Sequence, residues 1–372
     1  MSGGEPPKPE TPEHRTPERQ ALDPAPDASG ERILIVRPTA LGDVAKTVPC
    51  LATLRAAFPG ARIDWLVHSA FADVVGYHPM LDGVVPFDRK GLSGFGLRPR
   101  ATRAGLALAK RLRRAKYTRV YDLQGLARSG LLTWLTRSPK RVGFMYARER
   151  AGLGYNVKYP VAVAQHTVDR MLGLLEADGL SPVHDARLYV GEDDAAWARD
   201  YLETQRLSAG RYVCLAPTAQ WGCKCWPAER YAELAQRVVA HVGVEDRVVI
   251  LAAPHEHDRL TPITQALGDL ALLPATTVGQ LMGLIQAAAA VVANDSAALH
   301  LAVGLGRPAV GIFGPTDPKL VGPYRRGDDV VQPDGITADD MGDYRGRKDD
   351  DALIARVAVD AVWAKLEARL PA

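Results

Sequence analysis

The sequence predicts two α/β domains, each a doubly wound parallel sheet, facing one another across a cleft. Three observations predict it. Short apolar runs of the kind buried in parallel sheets alternate with helical stretches along most of the chain. The alternation occurs twice, on either side of a proline-bearing stretch at 181–189, so the 372 residues divide into two similar halves. The apolar runs end in loops of small and polar residues, and ligands of open α/β sheets bind at those carboxyl ends. The expected division is a tail at 1–30, a first domain at 31–185, a second at 186–351 and a C-terminal helix at 352–372.

Residues 1–30 hold seven prolines and no aromatic residue. Such a segment buries too little apolar surface to offset its ordering entropy, so it reads as a disordered tail without a signal peptide. The composition, 47% hydrophobic and 24% charged, is that of a soluble globular protein. No apolar run approaches the roughly 18 residues of a spanning helix. Four cysteines in a chain this long imply no disulfide framework and fit a reducing cytoplasm. A net charge of +3 gives no sign of general nucleic-acid binding.

In chain order, 33–36 is the first strand, and the turn Pro38-Thr39-Ala40-Leu41-Gly42-Asp43 leads to a helix at 44–57 that Pro49 kinks. Gly42 lets a ligand or another backbone approach closely. Asp43, at a helix start, has the bland role of a dipole-matched cap beside any catalytic one. Strands follow at 62–67 and 83–87, with a helix at 71–76 between them. From Arg89 to Tyr121 there are eleven Lys or Arg residues and no Asp or Glu. A solvated helix face is the ordinary meaning of such a run; an acidic substrate or an anionic membrane surface is the functional one. The strand at 120–123 opens into Gln124-Gly125-Leu126 and a helix carrying Arg128. A short strand at 141–144 precedes the polar loop with Arg148, and a helix spans 166–179.

The second half repeats the pattern: helix 193–205, strand 212–216, a loop to Trp226, a helix begun by Pro227, and a strand at 247–252. A helix at 277–287 leads to the stretch that organises this half. There, strand 290–293, the turn Asn294-Asp295-Ser296, helix 297–305, strand 310–313 and the loop Gly314-Pro315-Thr316-Asp317-Pro318 form a βαβ unit. Asn, Asp and Ser cap helices, and the helix start offers N–H groups to an anion such as phosphate. Residues 334–351 are acidic and polar, and 353–370 is an amphipathic helix.

Gly42-Asp43 with Thr47-Val48-Pro49, then Asp122-Leu123-Gln124-Gly125-Leu126, Lys224-Cys225-Trp226-Pro227, Asn294-Asp295-Ser296 with His300, and the Gly-Pro-Thr-Asp-Pro loop occur in this order. Together they resemble the lipopolysaccharide heptosyltransferases of glycosyltransferase family 9, over about residues 32–325. The Gln-Gly-Leu and Gly-Pro-Thr-Asp-Pro segments are nearer the enzyme adding the first heptose, and Asn-Asp-Ser is nearer the one adding the second. The resemblance implies a GT-B fold of two Rossmann-like domains, with the donor held mainly by the second. It implies inverting transfer of heptose from ADP-heptose to an acidic lipopolysaccharide inner-core acceptor of Kdo-lipid A type, with no metal or other cofactor. By position, Asp43 corresponds to the general base and Lys224 to the residue that stabilises charge on departing ADP. Thr218, Glu256, Asp295, Ser296, Ala297 and His300 correspond to donor-binding positions, and Gly42, Gln124, Arg128 and Arg148 to acceptor-binding ones. The family's acidic position before His255-Glu256 is Pro254 here. The implied partners are a nucleotide sugar and an acidic glycolipid, with no nucleic acid, for a cytoplasmic protein in peripheral contact with the inner membrane through its basic run and C-terminal helix.

Three other readings stand beside this one. The same fold accommodates another nucleotide sugar or acceptor. An NAD-dependent oxidoreductase would need a Gly-x-Gly-x-x-Gly turn where the chain has Arg37-Pro38-Thr39-Ala40-Leu41-Gly42. A non-catalytic glycan-binding protein would not need both Asp43 and Lys224. Cys223 with Cys225, His255 with His257, and Asp349–Asp351 lack metal-site spacing; they read as free thiols and solvated loops.

Overall fold

The computed structural model describes residues 30–88, 91, 97–241, 244–245, 247–342 and 349–371. The tail read at 1–30 lies outside the described residues except for Gly30.

Two six-stranded sheets form, and each described strand pair is parallel. The first contains β1 (Arg32–Val36), β2 (Arg62–His68), β3 (Gly83–Phe87), β4 (Arg119–Asp122), β5 (Lys140–Phe144) and β6 (Val157–Tyr159), in spatial order β3-β2-β1-β4-β5-β6. The second contains β7 (Val213–Ala216), β8 (Val248–Ile250), β9 (Ala271–Leu272), β10 (Ala290–Asn294), β11 (Ala309–Ile312) and β12 (Val330–Val331), in order β12-β11-β10-β7-β8-β9. Strand order therefore reverses between β1 and β4 in one sheet and between β7 and β10 in the other. A reversal of this kind opens a crevice beyond the strand ends. Each half contributes one crevice.

Before residue 181 the helices are α1 (Leu41–Lys46), α2 (Val48–Ala57), α3 (Asp73–Gly76), α4 (Pro99–Arg114), α5 (Ala127–Leu135) and α6 (Thr167–Ala177). After it come α7 (Glu192–Thr204), α8 (Ala228–Val239), α9 (Thr261–Leu267), α10 (Val278–Ala287), α11 (Ala297–Gly304), α12 (Pro318–Val321) and α13 (Val359–Glu367). With helices covering both faces, the central strands are largely buried: every residue of β10 and four of the five in β1 are buried. One apolar cluster is continuous from Ile33 and Leu51, through Leu174, to Leu284 and Leu301. It links the two halves.

Several boundaries differ from the sequence reading, each for a local reason. The helix expected at 44–57 is two helices that meet at Thr47, whose hydroxyl donates to the Asp43 carbonyl at 2.8 Å. Pro49 falls in the first turn of α2, where its missing N–H is not needed. Gly42 and Asp43 thus lie inside α1 and not in a turn ahead of it. Pro227 is the residue before α8, with extended ψ, not its first helical residue. The continuous helix expected at 353–370 is a short 3-10 turn, Ile354–Arg356, followed by α13. The Val357 carbonyl between them accepts from Trp226 Nε1 at 3.0 Å and from Arg230, which draws it out of helical pairing. Strands β6, β9 and β12, of two or three residues, are too short to carry a readable alternation.

Candidate active site

The first half builds its side of the site from the end of β1. Arg37, 7% exposed, follows the strand and donates from Nη1 to the Leu123 carbonyl beyond β4, bridging the reversal point. Its Nη2 lies 3.1 Å from Asp43 Oδ2, and Lys46 Nζ lies 3.2 Å from Asp43 Oδ1. Burial alone would raise the Asp43 carboxyl, but Arg37 and Lys46 together hold it far below the usual carboxylate range. It is an ionised carboxylate with two cationic partners.

The second half builds its side from the ends of β7 and β10. Asn294 closes β10, and its buried amide spans the reversal point. Nδ2 donates to the Pro217 carbonyl at 2.8 Å, while Oδ1 accepts from Trp226 N and from the Tyr231 hydroxyl, each at 3.2 Å. Asn294 therefore fixes the loop that carries Thr218 and Lys224. Asp295, the next residue, receives Lys224 Nζ at 2.6 Å and the Thr316 hydroxyl at 2.9 Å, both on Oδ2. Burial pushes its carboxyl up, yet Lys224 leaves the net shift downward. Glu256 accepts on Oε2 from Ala253 N at 2.9 Å and from the Thr218 hydroxyl at 3.0 Å.

None of Asn294, Asp295 and Ser296 caps α11 through its side chain, contrary to the expectation from residue type. Ser296 occupies the cap position without a capping bond, and its buried Oγ has no partner among the described residues. The first turn of α11 is thus left without a side-chain cap, and Ser296, Ala297 and Ala298 line the cleft.

The halves meet where α1 packs against α11. A Cβ on Gly42 would lie 2.9 Å from His300 Cδ2 and 3.2 Å from Ala297 Cα, so only glycine permits this approach. His300 is buried, and burial together with Lys46 lowers its pKa to about 3 despite Asp295 and Asp43 nearby. The result is a cleft of about 820 Å³ whose lining includes Gly42, Asp43 and Lys46 from one half and Thr218, Lys224, Glu256, Asp295, Ser296, Ala297 and His300 from the other.

The structure therefore brings together the residues singled out as base, charge stabiliser and donor contacts. The acceptor set is divided. Gly42 lines the cleft; Gln124 does not, and its Nε2 donates to Thr39 Oγ1 at 2.9 Å, next in sequence to the lining residue Ala40. Arg128 is exposed on α5 with its guanidinium 6.0 Å from the Phe87 ring centroid, and Arg148 is exposed on the next loop; neither lines the cleft. Asp122 is structural: buried, with a carboxyl raised by that burial, it accepts from Gln124 N, Gly125 N and Tyr155 OH and so shapes the Gln-Gly turn. Arg37 and Lys46 were missed by sequence reasoning. Lys46 stands three residues after Asp43, the spacing of neighbours on one helical face, and that was its available signal. Cys223 and Cys225 are free thiols, and Cys225 Sγ accepts from Ala219 N at 3.3 Å.

A model of glycosyltransferase family 9 (heptosyltransferase) matches residues 105–338. The chain belongs to glycosyltransferase family 9. It is 31% identical over 299 residues to lipopolysaccharide heptosyltransferase 1 of Escherichia coli strain K12, which covers 79% of this chain and 91% of that protein. It is 32% identical over 304 residues to lipopolysaccharide heptosyltransferase 1 of Pseudomonas aeruginosa, covering 79% and 82%. The solved structure of E. coli heptosyltransferase WaaC with ADP superposes with a TM-score of 0.72 at 27% identity, over 91% of this chain and 99% of that one. The two facing sheets are the GT-B arrangement of this glycosyltransferase family.

His300 gives a test of this geometry. Its folded pKa, about 3, lies below the ordinary 6.5, so the unfolded chain binds the extra proton between those values. Stability from this group is complete above pH 6.5 and is lost as pH falls toward 3, with a slope of up to about 1.4 kcal/mol per pH unit. Urea unfolding across that window should give His300→Gln a shallower pH dependence than wild type. Equal slopes would mean that His300 is not held neutral in the cleft.

Proposed function

We propose that this family 9 glycosyltransferase moves heptose from ADP-heptose to an acidic lipopolysaccharide inner-core acceptor of Kdo-lipid A type, with inversion and without a metal. The observation that carries the reading is that Asp43 and the Lys224–Asp295 pair, from opposite halves, line one cleft at both strand-order reversals. The Asp43 carboxylate takes the proton of the acceptor hydroxyl as that oxygen bonds to the anomeric carbon. The bond from that carbon to the diphosphate oxygen breaks on the opposite face, and ADP leaves with the electron pair. Lys224 neutralises the developing phosphate charge, exchanging its bond to Asp295 for one to the leaving oxygen.

The donor reading draws on the α11 N-terminus, where Ser296, Ala297 and Ala298 line the cleft without a side-chain cap on the helix, a setting that suits a diphosphate. In this reading Thr218, whose hydroxyl donates to Glu256 at 3.0 Å, contacts phosphate and Glu256 the ribose. Solved relatives support it: E. coli WaaC is described with ADP and, at 26% identity and a TM-score of 0.69, with ADP-2-deoxy-2-fluoro heptose. Identity of 31% to heptosyltransferase 1 against 27% to heptosyltransferase 2 of the same E. coli strain favours addition of the first heptose. Gln124, Arg128 and Arg148 belong to the half that carries Asp43, and arginine suits the carboxylates or phosphates of an acidic acceptor.

Such an acceptor is lipid-linked, which places the enzyme at the cytoplasmic membrane face as a peripheral protein. Helix α4 supports this. Arg103, Lys110, Arg113 and Arg114 are exposed on it together with Leu106, and α5 beside it exposes Leu131 and Trp134. Among the described residues no helix is long and apolar enough to cross a membrane.

Asp43→Asn should bind ADP at least as tightly as wild type and lose transfer by about 100-fold or more. Transfer assays run in EDTA should leave wild-type turnover unchanged. Retained turnover in the Asn variant would remove Asp43 as the base. For the membrane, sedimentation with vesicles at low salt should show binding to anionic lipid and little to neutral lipid, with the difference fading as salt rises. Equal binding to both would contradict an electrostatic docking face.

A further inference from the structure

Lys46 is the cleft cation that the mechanism above leaves without work. Its side chain is 9% exposed, its Nζ is 3.2 Å from Asp43 Oδ1, and it lines the cleft. Arg37 already neutralises the other carboxylate oxygen at 3.1 Å. A carboxylate gripped by two cations is a weak proton acceptor, whereas a general base works best when its pKa approaches the working pH. One cation should therefore leave before Asp43 acts.

The two differ in freedom to do so. Arg37 is pinned, with one amino group on the Leu123 carbonyl and the other on Asp43. Lys46 carries a point charge on a flexible stem. It also faces the opposite half: the Gly42 contact presses α1 onto the start of α11, and the Lys46 charge acts on His300, Asp295 and His166. The groups around Asp43 are thus Arg37 from the β1 end, Lys46 on its own helix, His300 on α11, Asp295 and Lys224 across the cleft, and His166 at the start of α6.

We infer that Lys46 is a movable cation that rests on Asp43 when no donor is bound and shifts to a phosphate oxygen of the nucleotide-diphosphate donor when one binds. The inference rests on the donor reading above. Lys46 stays an ammonium throughout and makes or breaks no covalent bond. Its departure leaves Asp43 with Arg37 alone, so the base gains proton affinity only once the donor is in place. Donor binding then primes the acceptor side of the same site.

Calorimetric titration with ADP tests this on wild type, Lys46→Gln, Lys46→Arg, Asp43→Asn and the Asp43→Asn/Lys46→Gln double variant. The expected results are a loss of about 10-fold or more in ADP affinity for Lys46→Gln, which a charge-assisted phosphate contact warrants, and near-complete rescue by Lys46→Arg. Asp43→Asn frees Lys46 and should bind ADP several-fold more tightly, and that gain should vanish in the double variant. Where Lys46→Gln is unfolded by its melting curve, Lys46→Met replaces it. Wild-type ADP affinity in the Lys46 variant, or a gain from Asp43→Asn that survives loss of Lys46, would overturn the inference while leaving the donor reading intact. Absence of ADP binding by wild type would overturn both.

Discussion

The site depends on one close approach. Helices α1 and α11, from opposite halves, meet with Gly42 against Ala297 and His300, at a separation that excludes even a methyl group on Gly42. A longer side chain there would push the two helix starts apart. The carboxylate of Asp43 would then be carried away from Lys224, Asp295 and the start of α11. Two crevices, each produced by a reversal of strand order, become one cleft where these helices touch. The apolar cluster running from the first half to the second supports the same contact from behind.

The charges in the cleft are arranged as pairs that a substrate can replace. Arg37 and Lys46 hold Asp43, while Lys224 and the Thr316 hydroxyl hold Asp295. A buried ion deprived of its partner costs several kcal/mol, about 3–5 where the pair is enclosed, so the cleft is stable when its cations rest on carboxylates. A diphosphate brings its own negative charge and gives the lysines a second place to bind. His300 stays neutral between the two groups and adds no competing charge. The same pairs thus stabilise the unliganded protein and, in the proposed function, set the charge pattern offered to the donor.

Much of the fold was legible because parallel strands buried on both faces leave short, unbroken apolar runs such as 33–36 and 290–293, and Gly, Pro and Asn mark where they stop. The short edge strands were not, since two or three residues carry no periodicity. The break at Val357 was hidden as well, because it depends on Trp226 and Arg230, more than a hundred residues away in sequence. In the site, motif order pointed to Asp43, Lys224 and Asp295, and the cleft contains all three. Residue type misled at Asn294 and Asp295. They have the chemistry of helix caps, yet Asn294 ties β10 to the β7 loop and Asp295 pairs with Lys224. Arg37 had no local signal, since its role arises from β1 lying beside β4.

The central claim is that the α11 side of the cleft selects an ADP-sugar and the α1 side supplies the base. Calorimetric titration with ADP-heptose, ADP-glucose and UDP-glucose, all in EDTA, tests it most directly. The account predicts tight binding of ADP-heptose, weaker binding of ADP-glucose and negligible binding of UDP-glucose, with no change when a divalent metal is restored. Equal binding of all three, or binding that appears only with metal, would contradict it.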